Sequence, residues 1–497
     1  MFKNFPGYKL LEKIQKSNSH KRERKLPLNA IKLIFIVAIT SVIALLPTES
    51  FGIEGLTVVH QRIISLFVFA ALMWLTEAMP SWVTSMIVVT IMLLTVSTSA
   101  FNFLRPEDGA GLVPFKSIMA CFANPTIMLF IGGFVLAIGL TKVKLDVALA
   151  RVLLKPFGTR SEIVLLGFIL VTAIFSAFVS NTATAAMMLA FLTPVLKSLP
   201  ADGKGRIALA LAIPVGANLG GMITPIGTPP NMIALDYLSS QGMGISFVDW
   251  TIKMAPFVIV LLVLAWLLLR FLFPFKQKHI KIEIEGDIKW NRHTWSVVAA
   301  FAITIFMWMF GTDLWGVDTN VVAMIPIAIF CATGILTRRD LEEINWSVLW
   351  MVAGGFALGV ALNYKDASSV SLSSLIVNTV PFDNFSPLVV MILAGVICFG
   401  FSNFISHSAA TSLLVPVLGV VAGGLGSSLD SFGGPQAMLV GIAIASSVSM
   451  ILPISTPPNA IAHSTGFIEQ KDMMKVGIII GLMGLALGYA MLIFIGF

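Results

Sequence analysis

The sequence predicts an all-α polytopic membrane protein built from two inverted-topology repeats. Three observations carry that prediction. The 497-residue chain is 57% hydrophobic and only 11% charged, where soluble domains carry about 25% charged residues. A soluble fold of this length has too little interior to hide so much apolar surface. Apolar runs long enough to cross a bilayer recur from one end to the other. Finally, Thr228-Pro229-Pro230-Asn231 recurs as Thr456-Pro457-Pro458-Asn459, 228 positions later.

The elements follow in chain order. Residues 1–28 form a basic tail, with Lys3, Lys9, Lys13, Lys16, Lys21, Arg22, Arg24 and Lys25 ahead of the first apolar run. The net charge of +7 therefore reads as a cytoplasmic orientation signal, with lipid headgroup contact, and not as a nucleic-acid surface. The first apolar run lacks a small-residue cleavage site and is long enough to span, so no cleavable signal peptide is expected. Clear spans fall near 29–47, 61–79, 82–99, 125–141, 251–275, 294–312, 318–336, 345–363 and 474–497. Two more, 206–238 and 435–466, are interrupted by proline pairs. Two stretches, 162–198 and 385–421, are broken in the middle by small polar residues. This makes eleven crossings and two broken segments. The first repeat covers 29–250, a linking helix and basic loop cover 251–293, and the second repeat covers 294–497.

Loop charge supports the count. With the N-terminus inside, the even loops are basic: Lys142, Lys144, Arg151, Lys155 and Arg160, then Lys276, Lys278, Lys281, Lys289 and Arg292, then Arg338 and Arg339, then Lys471 and Lys475. The loops 239–250 and 313–317, expected outside, hold no Lys or Arg. The alternation survives only if the two broken segments enter and leave on one side, as re-entrant hairpins. The C-terminus is then outside. The 143–160 stretch alternates basic and apolar residues, as a helix lying on the inner face would. Cys121, Cys331 and Cys398 have no disulfide or metal spacing.

Other features keep the order and nearly the offset of the Thr-Pro-Pro-Asn pair. Gly132-Gly133-Phe134 recurs as Gly354-Gly355-Phe356, and Ser180-Asn181-Thr182 has a looser partner in Ser406-His407-Ser408. An odd number of crossings separates the copies, so they face opposite sides of the membrane. Inverted repeats with matched helix breaks are the signature of secondary transporters that bind substrate near the midplane. Proline pairs force a break by removing helix hydrogen bonds. Unwound backbone at membrane depth is tolerated only inside protein or beside a polar cavity. Ser180, Asn181, Thr182 and Thr184 are natural N-caps, and a helix starting there aims free N–H groups and partial positive charge at what lies in front of it. No Lys or Arg lies within these motifs. Dipoles alone would hold an anion loosely enough to release it, and two related cradles suit a ligand with two anionic ends, such as a four-carbon dicarboxylate.

Ser-Asn-Thr-Ala-Thr-Ala-Ala at 180–186, the paired Thr-Pro-Pro-Asn blocks and Thr76-Glu77-Ala78-Met79-Pro80 resemble the divalent anion/sodium symporter family, from about residue 29 onward. The resemblance implies a homodimer in the cell membrane, with a scaffold domain and an elevator-type transport domain carrying two re-entrant hairpins. It also implies substrate contacts at Ser180, Asn181, Thr182, Thr228 and Pro229, and at Ser406, His407, Ser408, Thr456 and Pro457. A first sodium site maps onto Ser176, Ser180, Asn181 and Gly227, and a second onto Ser402, Ile405, His407 and Ser455. No organic cofactor is implied.

One position departs from the family pattern. His407 stands where the family's symporters place Asn. A neutral imidazole offers no oxygen to sodium, and a protonated one repels it. A histidine here is similar to the family's exchanger branch, in which one carboxylate is swapped for another. The expectation is exchange of C4 or C5 dicarboxylates, with sodium-coupled symport as the alternative carried by the intact first motif. Sulfate or tartrate are further candidate anions, and a channel suits closed paired breaks less well. An intramembrane hydrolase using His407 with Ser402, Ser406 or Ser408 lacks a nucleophile motif and gives the repeat no role. Glu77, near the end of the second span, is expected to be structural.

Overall fold

The computed structural model of the chain describes residues 26–107, 109–200, 203–280, 290–365, 370–381 and 385–497. The basic residues of the N-terminal tail lie outside these, as do Lys281 and Lys289. The described residues form helices joined by short turns. Nine of them are long and apolar enough to cross a membrane, and the remaining expected spans are shorter or broken.

The first part holds α1 (Leu26–Leu45), α2 (Val58–Thr76), α3 (Ser81–Thr95), the short α4 (Phe115–Ala120), α5 (Pro125–Lys142) and α6 (Leu145–Leu154). Local chemistry sets their ends. Thr57 caps α2 by accepting from the His60 N–H at 3.2 Å. Asn124 caps α5 by accepting from Thr126 N–H at 2.7 Å, with Pro125 in the first turn where no N–H is needed. Glu77 is exposed and closes α2 in the left-handed conformation, φ 47°. The Thr-Glu-Ala-Met-Pro segment is thus the turn into α3. The amphipathic segment after α5 is α6, which buries Leu145, Val147, Ala150 and Leu154 and leaves Val152 exposed.

The first core is α7 (Ser161–Phe178), α8 (Asn181–Ser198), α9 (Gly205–Gly220) and α10 (Pro229–Ser240), with α11 (Phe247–Leu272), in the stretch expected to link the repeats, packed on α7 and α9. Then come α12 (Arg292–Trp315), α13 (Thr319–Val322), α14 (Met324–Ala332), α15 (Arg338–Glu342), α16 (Trp346–Asn363) and α17 (Leu372–Thr379). The second core is α18 (Pro387–Phe404), α19 (His407–Leu425), α20 (Gly434–Ser447), α21 (Pro457–Ser464) and α22 (Gln470–Phe494). The span expected at 318–336 is divided at Ala323 into α13 and α14.

Packing repeats with the sequence. α7 and α8 pack on α9, and α18 and α19 on α20. Across the repeats, α10 packs on α19 and α20, while α21 packs on α8 and α9. Outside this interlocked core, α3 packs on α16, and α5 on α13 and α14. The duplicated glycines explain those last two crossings. A Cβ on Gly132 would lie 2.5 Å from the Ala323 carbonyl oxygen, and one on Gly354 would lie 2.4 Å from Ser85 Cβ. Gly-Gly-Phe therefore marks helix crossings, where small residues let backbones approach.

Candidate functional site

The two broken stretches share one geometry. α7 and α8 are joined by Val179 and Ser180, both extended (ψ 152° and 136°). α18 and α19 are joined by Ile405 and Ser406, also extended (ψ 167° and 144°). Each serine caps the helix after it. Ser180 Oγ accepts from Ala183 N–H and Ser406 Oγ from Ala409 N–H, both at 3.2 Å. Only Ser180 of the first motif caps. Thr184, also expected as a cap, lies inside α8 with its hydroxyl buried and without a partner. Thr182 is half-buried and its counterpart Ser408 is buried.

The two proline-pair breaks match as well. Thr228 and Thr456 are extended (φ −146° and −137°), each with proline opening the helix that follows. The asparagine three residues on closes the unwound carbonyls. Asn231 Nδ2 donates to Gly221 O at 3.0 Å and Thr224 O at 2.9 Å. Asn459 Nδ2 donates to Met450 O at 2.9 Å and Leu452 O at 3.1 Å. This is why each block ends in Asn. Pro229 is half-buried and Pro457 exposed.

Two links join a tip to the unwound backbone of its own repeat, and a third joins the repeats. At the first, Ser176 Oγ lies 2.6 Å from Asn181 Oδ1 and 2.7 Å from Ala217 O. A Cβ on Gly221 would lie 2.7 Å from Asn181 Oδ1, and one on Gly227 would lie 2.4 Å from Gly221 O. At the second, His407 Nε2 lies 2.5 Å from Ser449 O, and Ser446 Oγ donates to His407 O at 3.0 Å. The third joins the repeats: Asn218 Nδ2 donates to Thr456 Oγ1 at 3.2 Å and to Asn459 Oδ1 at 3.0 Å. Asn181 and His407 are thereby tied to the unwound backbone of their own repeats, and Thr456 and Asn459 of the second break to Asn218 of the first repeat.

The first cluster fits a small cation held by neutral oxygens. Ser176 Oγ, Asn181 Oδ1 and Ala217 O gather three neutral oxygens around one hydroxyl proton and the Gly221 N–H, which also reaches Ala217 O at 3.2 Å, an oxygen set of the kind a cation binds. The glycines at 221 and 227 allow the close approach of the Asn181 side chain and of the Gly221 backbone. The second cluster differs in kind. A carbonyl oxygen can only accept, so His407 Nε2 carries a proton and donates it to Ser449 O. Ser449 lies 228 positions after Gly221, and His407 lies 226 after Asn181. The imidazole thus presents an N–H, and no oxygen, to the unwound backbone of its own repeat. Ser402 is buried beside Cys398, with Oγ to Sγ 3.8 Å. Ser455 donates to Leu452 O at 2.7 Å, and Ile405 is buried in the tip. The contacts described place neither serine on His407.

Two site residues escaped the sequence reading. Asn218 is one. Asn403 is the other: its Nδ2 donates to Phe399 O at 2.7 Å and its Oδ1 accepts from Ile451 N–H at 2.9 Å, tying α18 to the second break. A lone asparagine within an otherwise apolar run was the available signal. Beside the site lies a cavity of about 780 Å³ between α5, α10, the start of α11 and α12 to α14. It reaches Pro225 of the first break but none of the tip residues. In its wall, Thr126 Oγ1 donates to Asp236 Oδ1 at 2.8 Å.

The profile of the citrate transporter family matches residues 71–432. An uncharacterised transporter of Haemophilus influenzae is 31% identical, over 91% of this chain and 94% of its own length. Sodium-dependent dicarboxylate transporter SdcS of Staphylococcus saprophyticus is 28% identical, over 85% and 83%. SdcS of Staphylococcus aureus (strain USA300) is 27% identical, over 92% and 90%. Among solved structures, the Alcanivorax borkumensis YdaH transporter superposes with a TM-score of 0.53 at 12% identity, covering 86% of this chain and 97% of that one. That last likeness is one of fold.

Proposed function

The chain belongs to the citrate transporter family, within the divalent anion/sodium symporter group its motifs resemble, and on that premise we propose that it exchanges C4 or C5 dicarboxylates across the cell membrane. It is a multi-pass transporter and not an enzyme. The substrate reading draws on the relatives named for dicarboxylate transport and on two serine-capped helix N-termini, α8 and α19, at matching positions. Each N-terminus would hold one carboxylate through free N–H groups and hydroxyls, with Ser180, Asn181, Thr182, Thr228 and Pro229 on one side and Ser406, His407, Ser408, Thr456 and Pro457 on the other. The observation that carries exchange is the His407 N–H on the Ser449 carbonyl, which puts a fixed proton where a coupling ion would sit.

In this reading α7–α11 and α18–α22 form the transport unit, which moves as an elevator against a scaffold of the remaining long helices, in a homodimer. The N-terminus is cytoplasmic and the C-terminus outside, as loop charge requires. A second reading, sodium-coupled symport through one cation site, is favoured by the oxygen cluster at Ser176, Asn181 and Ala217 and by the sodium dependence in the names of the SdcS relatives. Radiolabelled succinate uptake into proteoliposomes separates the two. Exchange requires internal dicarboxylate and ignores sodium. Symport fills empty vesicles under an inward sodium gradient. Uptake in neither condition would send the search to sulfate or tartrate.

A further inference from the structure

The hydrogen bonds around Asn218 can be assigned from atoms whose roles are fixed. The carbonyls of Met450 and Leu452 only accept, so the group of Asn459 facing them is its NH2. Asn459 therefore turns its Oδ1 to Asn218, which must answer with its own NH2 at 3.0 Å. The same NH2 lies 3.2 Å from Thr456 Oγ1, and a nitrogen of this kind only donates. Thr456 Oγ1 also accepts from the backbone N–H of Asn459 at 3.2 Å. Both lone pairs of the hydroxyl are then engaged, and its proton is left over, at the N-cap of α21 beside exposed Pro457.

We infer that Asn218 is a positioning residue that makes Thr456 an obligatory hydrogen-bond donor to a carboxylate of the substrate. The inference rests on the dicarboxylate reading of this site and goes beyond it by assigning a direction to one hydroxyl. Among the described residues the first repeat has no such device. Thr228 makes no side-chain cap bond. Ser446, which stands 228 positions after Asn218, donates to His407 O instead, and Asn231 Oδ1 is buried without a partner. The two ends of the substrate are thus met differently: one by a hydroxyl fixed as a donor, the other by one free to turn. Asn218 is 2% exposed and acts through Thr456 without reaching the anion.

The test is a double-mutant cycle on succinate uptake by the full chain in proteoliposomes. Asn218→Leu keeps the volume and removes the donors; Asn218→Ala serves if the leucine variant does not fold. Each is made alone and with Thr456→Val, and thermal midpoints of the purified proteins are recorded. Asn218→Leu and Thr456→Val should each raise KM about tenfold, the loss of one hydrogen bond to a charged group, with maximal rate little changed. The double variant should be no worse than either single one. Additive effects near a hundredfold, or a lowered thermal midpoint with unchanged KM, would overturn the inference while leaving dicarboxylate transport intact. Wild-type protein that carries no dicarboxylate would overturn the reading of the site and this assignment with it.

Discussion

Asn181 and His407 occupy matching positions, each turned to the unwound backbone of its own repeat, and the difference between them is the difference between an oxygen and an N–H. Asn181 presents an oxygen to the Ser176 hydroxyl; His407 supplies a proton to a carbonyl. His407→Asn should therefore release Ser449 O and confer sodium stimulation on succinate uptake, measured as initial rate against sodium concentration. Unchanged exchange with no sodium response would remove His407 from the coupling argument. Capping and proline chemistry at Ser180, Ser406, Thr228 and Thr456 could be read from local sequence because each acts on residues three or fewer positions away. Asn218 could not be read that way: its partners lie 238 and 241 positions distant, and nothing adjacent to it signals them.

At the scale of elements, hydropathy located the spans because length and apolar content are properties of a contiguous stretch. It did not anticipate the division at Ala323, which lies where α5 crosses closely at Gly132, a contact between segments far apart in sequence. The crossings make a sharp prediction. Gly132→Val or Gly354→Val puts side-chain atoms where a backbone carbonyl or Ser85 already stands, and overpacking of this kind costs about 1–3 kcal/mol or more. Thermal midpoints in detergent should fall clearly for both. Gly133→Ala, where a Cβ would meet nothing within 4 Å, should fall little. The turn between spans is held by charge. Asp340 accepts from Thr337 N–H at 2.6 Å and Oγ1 at 2.5 Å, and pairs with Lys142 at the end of α5. Burial pushes its pKa up, but the hydrogen bonds from Lys142 and Thr337 outweigh burial and hold the carboxyl below the usual carboxylate range. Its stabilisation is then complete above about pH 4 and is lost as pH falls through the lowered value. Asp340→Asn should cost about 2 kcal/mol at neutral pH. The gap between variant and wild type should close on acidification, as read from thermal midpoint against pH.

At the scale of the whole molecule, the repeat was legible because it leaves the same words at nearly constant spacing. The interlocking of the two halves was not, since no residue of α10 names its partners on α19 and α20. That interlocking sets the schedule on which the protein can be made. α8 starts at residue 181, and α21, which packs on it, starts at residue 457. At roughly 5–20 residues per second of synthesis, the two are separated by tens of seconds. For that interval α8 and α9 lack the helix that packs on them, and unpaired backbone in hydrocarbon is penalised by several kcal/mol per group. The core of this transporter is therefore completed only when α21 has been made, after the ribosome has nearly finished with the chain.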